Sequence, residues 1–98
     1  MATYTISDAT VRAARELPQW QVREGQLVRI YETKGWTRSI QLANAIGHLA
    51  ECADHHPDLL VTWPRLEVRL VTHDAGGITG KDFALAAKIE EIAGWKPA

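Results

Sequence analysis

Twice along this 98-residue chain, a pair of runs that alternate apolar and polar residues is followed by a run with helical apolar spacing. Trp20-Gln21-Val22-Arg23 and Gln26 to Thr33 form the first pair, split by Glu24-Gly25. Leu59 to Trp63 and Leu66 to His73 form the second, joined near Pro64-Arg65. Alternating runs across a short Gly- or Pro-containing connection read as β-hairpins. Hairpins pair antiparallel, and helices that follow them bury their apolar stripes against a sheet face. A short helix, Ala9 to Leu17, precedes the first hairpin; Ser7 and Asp8 offer capping oxygens and Pro18 ends it. Residues 1–6 read as a loosely held extended tail. The expected fold is α+β: one domain over 1–98 with element order α-β-β-α-β-β-α, a four-stranded antiparallel sheet and three helices on one face.

Thr37 to Asp54 is the long helix. At about 100° per residue, Leu42, Ala43, Ala45, Ile46, Leu49, Ala50 and Ala53 cover roughly half the circumference. Gln41, Asn44, His48 and Glu51 gather opposite. A surface helix needs an apolar stripe of only about 100°. The wider arc predicts burial on two sides, one against the sheet and one against a second subunit, giving a homo-dimer or homo-tetramer through the 37–54 helix. His48 is expected in solvent or at that contact, and Cys52 is expected to be buried. In the last strand Leu66, Val68 and Leu70 share a face, with His73 on the other. Thr79 caps the final helix with Asp82 three residues on, close to a capping box. Leu85, Ala86, Ile89, Ile92 and Ala93 form that helix's stripe, and Gly94 ends it. Trp20, Trp36, Trp63 and Trp95 are expected to pack at element ends, Trp63 being the one held open for another role.

Function classes narrow by charge and hydropathy. A net charge of −1 gives no electrostatic case for nucleic acid or an anionic membrane. No apolar segment approaches the roughly 20 residues that span a bilayer, and the N-terminus lacks the basic and apolar regions of a signal peptide. One cysteine rules out an internal disulfide. These features together predict a cytoplasmic protein.

Chemistry-bearing residues concentrate in Glu51-Cys52-Ala53-Asp54-His55-His56-Pro57 and at His73. Pro57 disfavours helical geometry at His56, so the histidine pair sits where the long helix ends. An antiparallel hairpin returns the chain toward its start, which brings His73 near His55 and His56. Glu51 or Asp54 could orient an imidazole. Three readings compete: helix-end and rim histidines, a metal site, and proton transfer to and from a small molecule. Adjacent histidines with a third seventeen residues on match no common metal-ligand spacing. Gly76-Gly77-Ile78-Thr79-Gly80 lacks the Lys and spacing of a phosphate-binding loop.

Glu51-x-x-x-His55-His56-Pro57, then Trp63, Thr72-His73-Asp74, Gly77-Ile78-Thr79 and Lys81-Asp82 together resemble the signature of pterin-4a-carbinolamine dehydratases. The similarity extends outward through Trp20, Gly25 and Lys34-Gly35-Trp36, over about Ala9 to Ala93. The resemblance implies a hydro-lyase that dehydrates a 4a-hydroxy-tetrahydropterin to a quinonoid dihydropterin in tetrahydrobiopterin recycling. It implies no metal or redox cofactor. It also implies that His55 and His73 transfer protons, that His56 binds and polarises, and that Glu51, Asp54, Pro57, Thr72, Asp74, Ala75 and Asp82 surround the pterin. Some family members instead act through their helix surface, as a transcription-factor partner or an assembly chaperone. A non-catalytic interaction protein is therefore the alternative expectation.

Overall fold

The computed structural model describes residues 2–94. Its elements are α1 (Ile6–Glu16), β1 (Gln21–Arg23), β2 (Gln26–Tyr31), α2 (Trp36–Ala53), β3 (Asp58–Val61), β4 (Leu66–Leu70), a 3-10 turn (His73–Ala75) and α3 (Gly80–Ala93). The order is the expected α-β-β-α-β-β-α, and the four strands form one antiparallel sheet, β1-β2-β4-β3. The two hairpins therefore lie side by side and join through β2 and β4. In the first hairpin Glu24 and Gly25 both take left-handed φ, 52° and 74°. That two-residue turn matches strand twist, and glycine adopts it without strain.

Register fixes which face is buried. Leu27 pairs with Leu70, Arg29 with Val68 and Tyr31 with Leu66; Leu59 pairs with Val68 and Val61 with Leu66. Paired residues share a face. Leu27, Tyr31, Leu66, Val68 and Leu70 meet Ala9 and Ala13 of α1, Ile46 and Ala50 of α2, and Leu85, Ala86 and Ile89 of α3 in one core. All three helices thus cover the same side of the sheet.

Several local expectations give way to tertiary contacts. The N-terminal segment is tied down rather than loose. Tyr4 N–H donates to Ile78 O at 2.8 Å, and the Tyr4 ring meets Phe83 edge-on at 5.2 Å. Gly77 leaves room for this segment, since a Cβ there would come within 3.3 Å of Thr3. Held in this way, Thr5 caps α1 by accepting from Asp8 N–H, and the helix starts at Ile6 instead of after Ser7-Asp8. β4 stops at Leu70, not His73. Its partner β2 has nearly reached the Glu24-Gly25 turn there, because Leu70 already faces Leu27. Trp20 is buried, but Trp36 and Trp63 are more than half exposed; Trp95 lies outside the described residues. Cys52 is exposed, not buried, because it projects away from the Ile46–Ala50 stripe. Within one chain α2 is buried at Ser39, Ile46 and Ala50, with Leu42, Ala43 and Leu49 half-covered beside them.

One charged node locks α3 onto the sheet. Glu90 Oε1 accepts from Trp20 Nε1–H at 2.8 Å, Arg29 Nε–H at 2.7 Å and Tyr31 O–H at 2.7 Å. Burial alone would raise the Glu90 carboxyl, but hydrogen bonds from Tyr31, Arg29 and Trp20 outweigh it and hold the group below its ordinary value. Burial, and then the bond to Glu90, pushes Tyr31 well above its usual range. Because folding lowers the Glu90 value, its stabilisation is present above the unfolded value near 4.5 and is lost as pH falls through the folded one. Glu90→Gln is expected to lower the unfolding free energy at neutral pH by about 1–3 kcal/mol. The gap to wild type should narrow as the solution is acidified below that value, measured by urea denaturation at stepped pH.

Candidate active site

The site begins where α2 ends. Pro57 forbids a simple continuation of the helix through His56, and the chain leaves by a left-handed residue, Asp54, at φ 50° and ψ 44°. Asp54 N–H donates to Glu51 O at 3.2 Å and His55 N–H to Ala50 O at 3.1 Å, which satisfies the last helical carbonyls. This reversal sends the two imidazoles different ways. The His55 side chain is 11% exposed and turned inward; that of His56 is 59% exposed.

His55 ends on Asp82, which is completely buried at the first turn of α3. The bond from His55 Nε2 to Asp82 Oδ1 is 2.5 Å. The other oxygen, Oδ2, accepts from Thr79 N–H at 2.9 Å and from Thr72 Oγ1–H at 2.8 Å. Thr79 and Asp82 thereby complete the capping box, with Thr79 Oγ1 accepting from Lys81 N–H. Thr72 has one hydroxyl proton and gives it to Asp82, so the 2.8 Å contact between Thr72 and Thr79 is a donation from Thr79. Among the described residues no buried side-chain nitrogen or oxygen lacks a partner. The carboxylate is surrounded by donors, and the α3 N-terminus adds its positive end.

Thr72 also anchors the loop that carries His73. Thr72 N–H donates to Gly77 O at 3.0 Å and Gly77 N–H to Thr72 O at 3.3 Å. The four residues between are forced into the 3-10 turn, closed by Gly76 at φ 77°. His73 and Asp74 stand exposed on that turn. Since Asp58 pairs with Arg69, the end of α2 and this turn lie at the same end of the β3–β4 hairpin. Between them is a cleft of about 200 Å³ lined by Asp54, His55, His56, Val71, Thr72, His73, Asp74 and Lys81.

The three histidines of the sequence reading therefore line one cleft, together with Asp54, Thr72 and Asp74. Glu51 is outside the lining but accepts from His56 Nε2 at 2.8 Å. Asp82 reaches the cleft through His55 and Thr72, both of which bond to its carboxylate. Pro57 and Ala75 adjoin lining residues in the chain without lining the cleft themselves. Sequence reasoning gave no site role to Val71, nor to Lys81 although Lys81-Asp82 stood in the signature, and it missed the link from Thr79 to Thr72. The cap at Thr79 was the available signal for Lys81, because the first turn of a helix faces whatever its cap binds. A larger groove of about 420 Å³ lies between α2 and α3, lined by Leu49, Lys88, Glu91 and Ile92. No histidine lines it, so the smaller cleft is the candidate site.

The bond to Asp82 fixes the His55 tautomer. A carboxylate can only accept, so His55 Nε2 carries a hydrogen. Nδ1 is then the ring nitrogen free to give or take a proton. An imidazole oriented by a buried carboxylate, facing a second imidazole across a solvent-reached cleft, suits general acid–base chemistry on a ligand.

Comparisons with known proteins agree with this architecture. A family model described as "Pterin 4 alpha carbinolamine dehydratase" matches residues 4–92. A protein of Thermomicrobium roseum named "Putative pterin-4-alpha-carbinolamine dehydratase" is 40% identical over 90% of this chain and 96% of its own. One of the same name from Natronomonas pharaonis is 43% identical over 90% and 95%. A crystal structure from Brucella melitensis, of a "transcriptional coactivator/pterin dehydratase", superposes with a TM-score of 0.84 at 29% identity, covering 94% of this chain and 99% of that one.

The buried and exposed halves of the site should respond differently to truncation. Asp82→Ala strands three donors in the interior and should lower the unfolding free energy by about 2–4 kcal/mol. Glu51→Ala removes only a solvent-exposed pair and should change it by less than about 1 kcal/mol. Chemical denaturation of the two variants beside wild type measures both.

Proposed function

This chain belongs to the pterin 4 alpha carbinolamine dehydratase family, and on that basis we propose that it is a hydro-lyase whose histidine cleft dehydrates a 4a-hydroxy-tetrahydropterin. The observation that carries this reading is the convergence of His55, His56 and His73 on one cleft, with His55 held by the buried Asp82. At about 200 Å³ the cleft is smaller than the roughly 300–1,000 Å³ of a typical ligand pocket. That suits a flat bicyclic ring with its substituents left in solvent.

The reaction breaks the C4a–OH bond and removes a proton from the adjacent ring nitrogen, giving water and the quinonoid dihydropterin. Hydroxide is a poor leaving group at neutral pH, so a protonated imidazole must donate to the departing oxygen. His55 is that acid: its Nε2–H stays on Asp82 while Nδ1–H is delivered, and the carboxylate keeps the ring in place throughout. His73, exposed on the opposite turn, takes the ring-nitrogen proton when neutral. Exchange with solvent resets both rings. His56, steadied by Glu51, binds and polarises the pterin, and Asp54, Thr72 and Asp74 contribute to the surrounding wall. The product is a species that a reductase can return to tetrahydropterin, which places the step in pterin recycling. The charge balance of −1 favours this small-molecule role over nucleic-acid binding.

His55→Ala and His73→Ala should each slow loss of a 4a-hydroxy-tetrahydropterin generated in situ by about 10²- to 10⁴-fold, with the double variant slowest, followed by absorbance. Rates equal to wild type in both single variants would refute the assignment.

We also propose self-association through α2. Leu49 and Ile92 line the α2–α3 groove beside Lys88 and Glu91, Ile92 is 40% exposed and Ile40 36% exposed, and the helix carries more apolar arc than its own core uses. Sedimentation should find wild type at two or four times the 10.9 kDa chain mass and Leu49→Glu at one. An unchanged mass for Leu49→Glu would count against the α2 interface.

A further inference from the structure

Lys81 lines the histidine cleft at a place where helix stability argues against it. It stands in the first turn of α3, where its backbone N–H donates to the capping oxygen of Thr79 at 3.2 Å. The N-terminal end of a helix is electropositive and favours anions. Yet the last turn of α3, where a cation would be favoured, holds no basic residue. Among the described residues the Lys81 ammonium enters no ion pair. Resting on the dehydratase reading of this cleft, we propose that Lys81 is a specificity-determining residue whose ammonium donates to the carbonyl oxygen on C4 of the bound pterin.

Counting donors leads to this assignment. Thr72 spends its hydroxyl proton on Asp82, and His55 spends its Nε2–H on the same carboxylate. His56 gives its Nε2–H to Glu51. Asp54 and Asp74 accept only, and His73 is needed as a proton acceptor. Lys81 is the lining side chain left to meet a ligand oxygen. A carbonyl that loses water without gaining a donor costs binding energy, so the pterin is drawn to the pose that gives its C4 oxygen this partner.

The bonding of the ring agrees with the order of the chain. C4 is bonded to C4a, the atom that loses hydroxide. Lys81 directly precedes Asp82, which holds His55, the proposed acid. Anchoring the C4 oxygen on Lys81 therefore turns the neighbouring hydroxyl toward His55. The N3–H and 2-amino donors further along the same ring edge need acceptors, and Asp54 and Asp74 are the carboxylates in the lining. An analogue with an amino group at C4 would set a donor against the ammonium and be rejected. The contact is made in the ground state and the transition state alike, so it acts on KM more than on kcat.

Calorimetric titration with a 7,8-dihydropterin and with the 2,4-diamino analogue of the same ring tests the contact without turnover. Wild type should bind the 4-oxo ligand at least about tenfold more tightly than the analogue. Lys81→Met should lose most of that preference, and Lys81→Arg should keep it. In turnover Lys81→Met should raise KM by more than it lowers kcat. Its unfolding midpoint in urea should equal or exceed that of wild type, since a cation leaves the electropositive helix end. If wild type dehydrates the carbinolamine but Lys81→Met retains the full preference, this assignment alone falls. If wild type discriminates through Lys81 but performs no dehydration, the reading of the reaction falls and the contact stands. Binding of neither ligand overturns both.

Discussion

A carboxylate taken wholly out of water must find a donor for each oxygen, or it costs several kcal/mol. Asp82 meets that requirement with His55 Nε2–H, Thr72 Oγ1–H and Thr79 N–H. These donors come from three places: the segment after α2, the segment after β4, and the cap of α3. Satisfying one charge therefore assembles the three segments that wall the cleft. The same interaction orients His55, so fold and site share a single constraint. Removing water from the carboxylate also strengthens its hold on the imidazole.

The other end of α3 is pinned in a similar way. Glu90, eight residues beyond Asp82, collects Trp20, Arg29 and Tyr31 on one oxygen. A helix fixed at both ends by charged hydrogen bonds cannot slide along the sheet without breaking one of them. Asp82 is thereby held in place before any ligand arrives, as the proposed acid–base chemistry requires of its support. The exposed groups, His56 with Glu51 and His73 on its short turn, are held by fewer contacts.

Much of this was legible in the sequence because it rests on local rules. Alternation in Gln26 to Thr33 and Leu66 to His73 marked the strands, which the structure ends sooner, at Tyr31 and Leu70, and Glu24-Gly25 marked the turn. Pro57 marked where α2 must stop, and Thr79 with Asp82 announced the capping box. Hairpin return was enough to bring His73 toward His55 and His56. What stayed hidden depended on contacts between distant segments. Nothing near Thr5 reveals that Tyr4 pairs with Ile78 and so selects the cap. Asp82 read as a cap residue and as a pterin neighbour, but only the folded chain puts it beneath His55. Glu90 resembled any helical surface glutamate, and its three donors lie 59 to 70 residues away. Aromatic character did not predict burial either: Trp20 had Glu90 as a partner, whereas Trp36 and Trp63 remain exposed.

The most direct test of the account is the proton on one ring. Long-range nitrogen–proton correlation spectra of the histidine-labelled protein report which nitrogen of neutral His55 is protonated. Hydrogen on Nε2, with a bare Nδ1, is the predicted tautomer, and Asp82→Asn should disturb it. A neutral ring protonated at Nδ1, or a His55 signal indifferent to Asp82, would contradict the arrangement on which the cleft and its chemistry have been built.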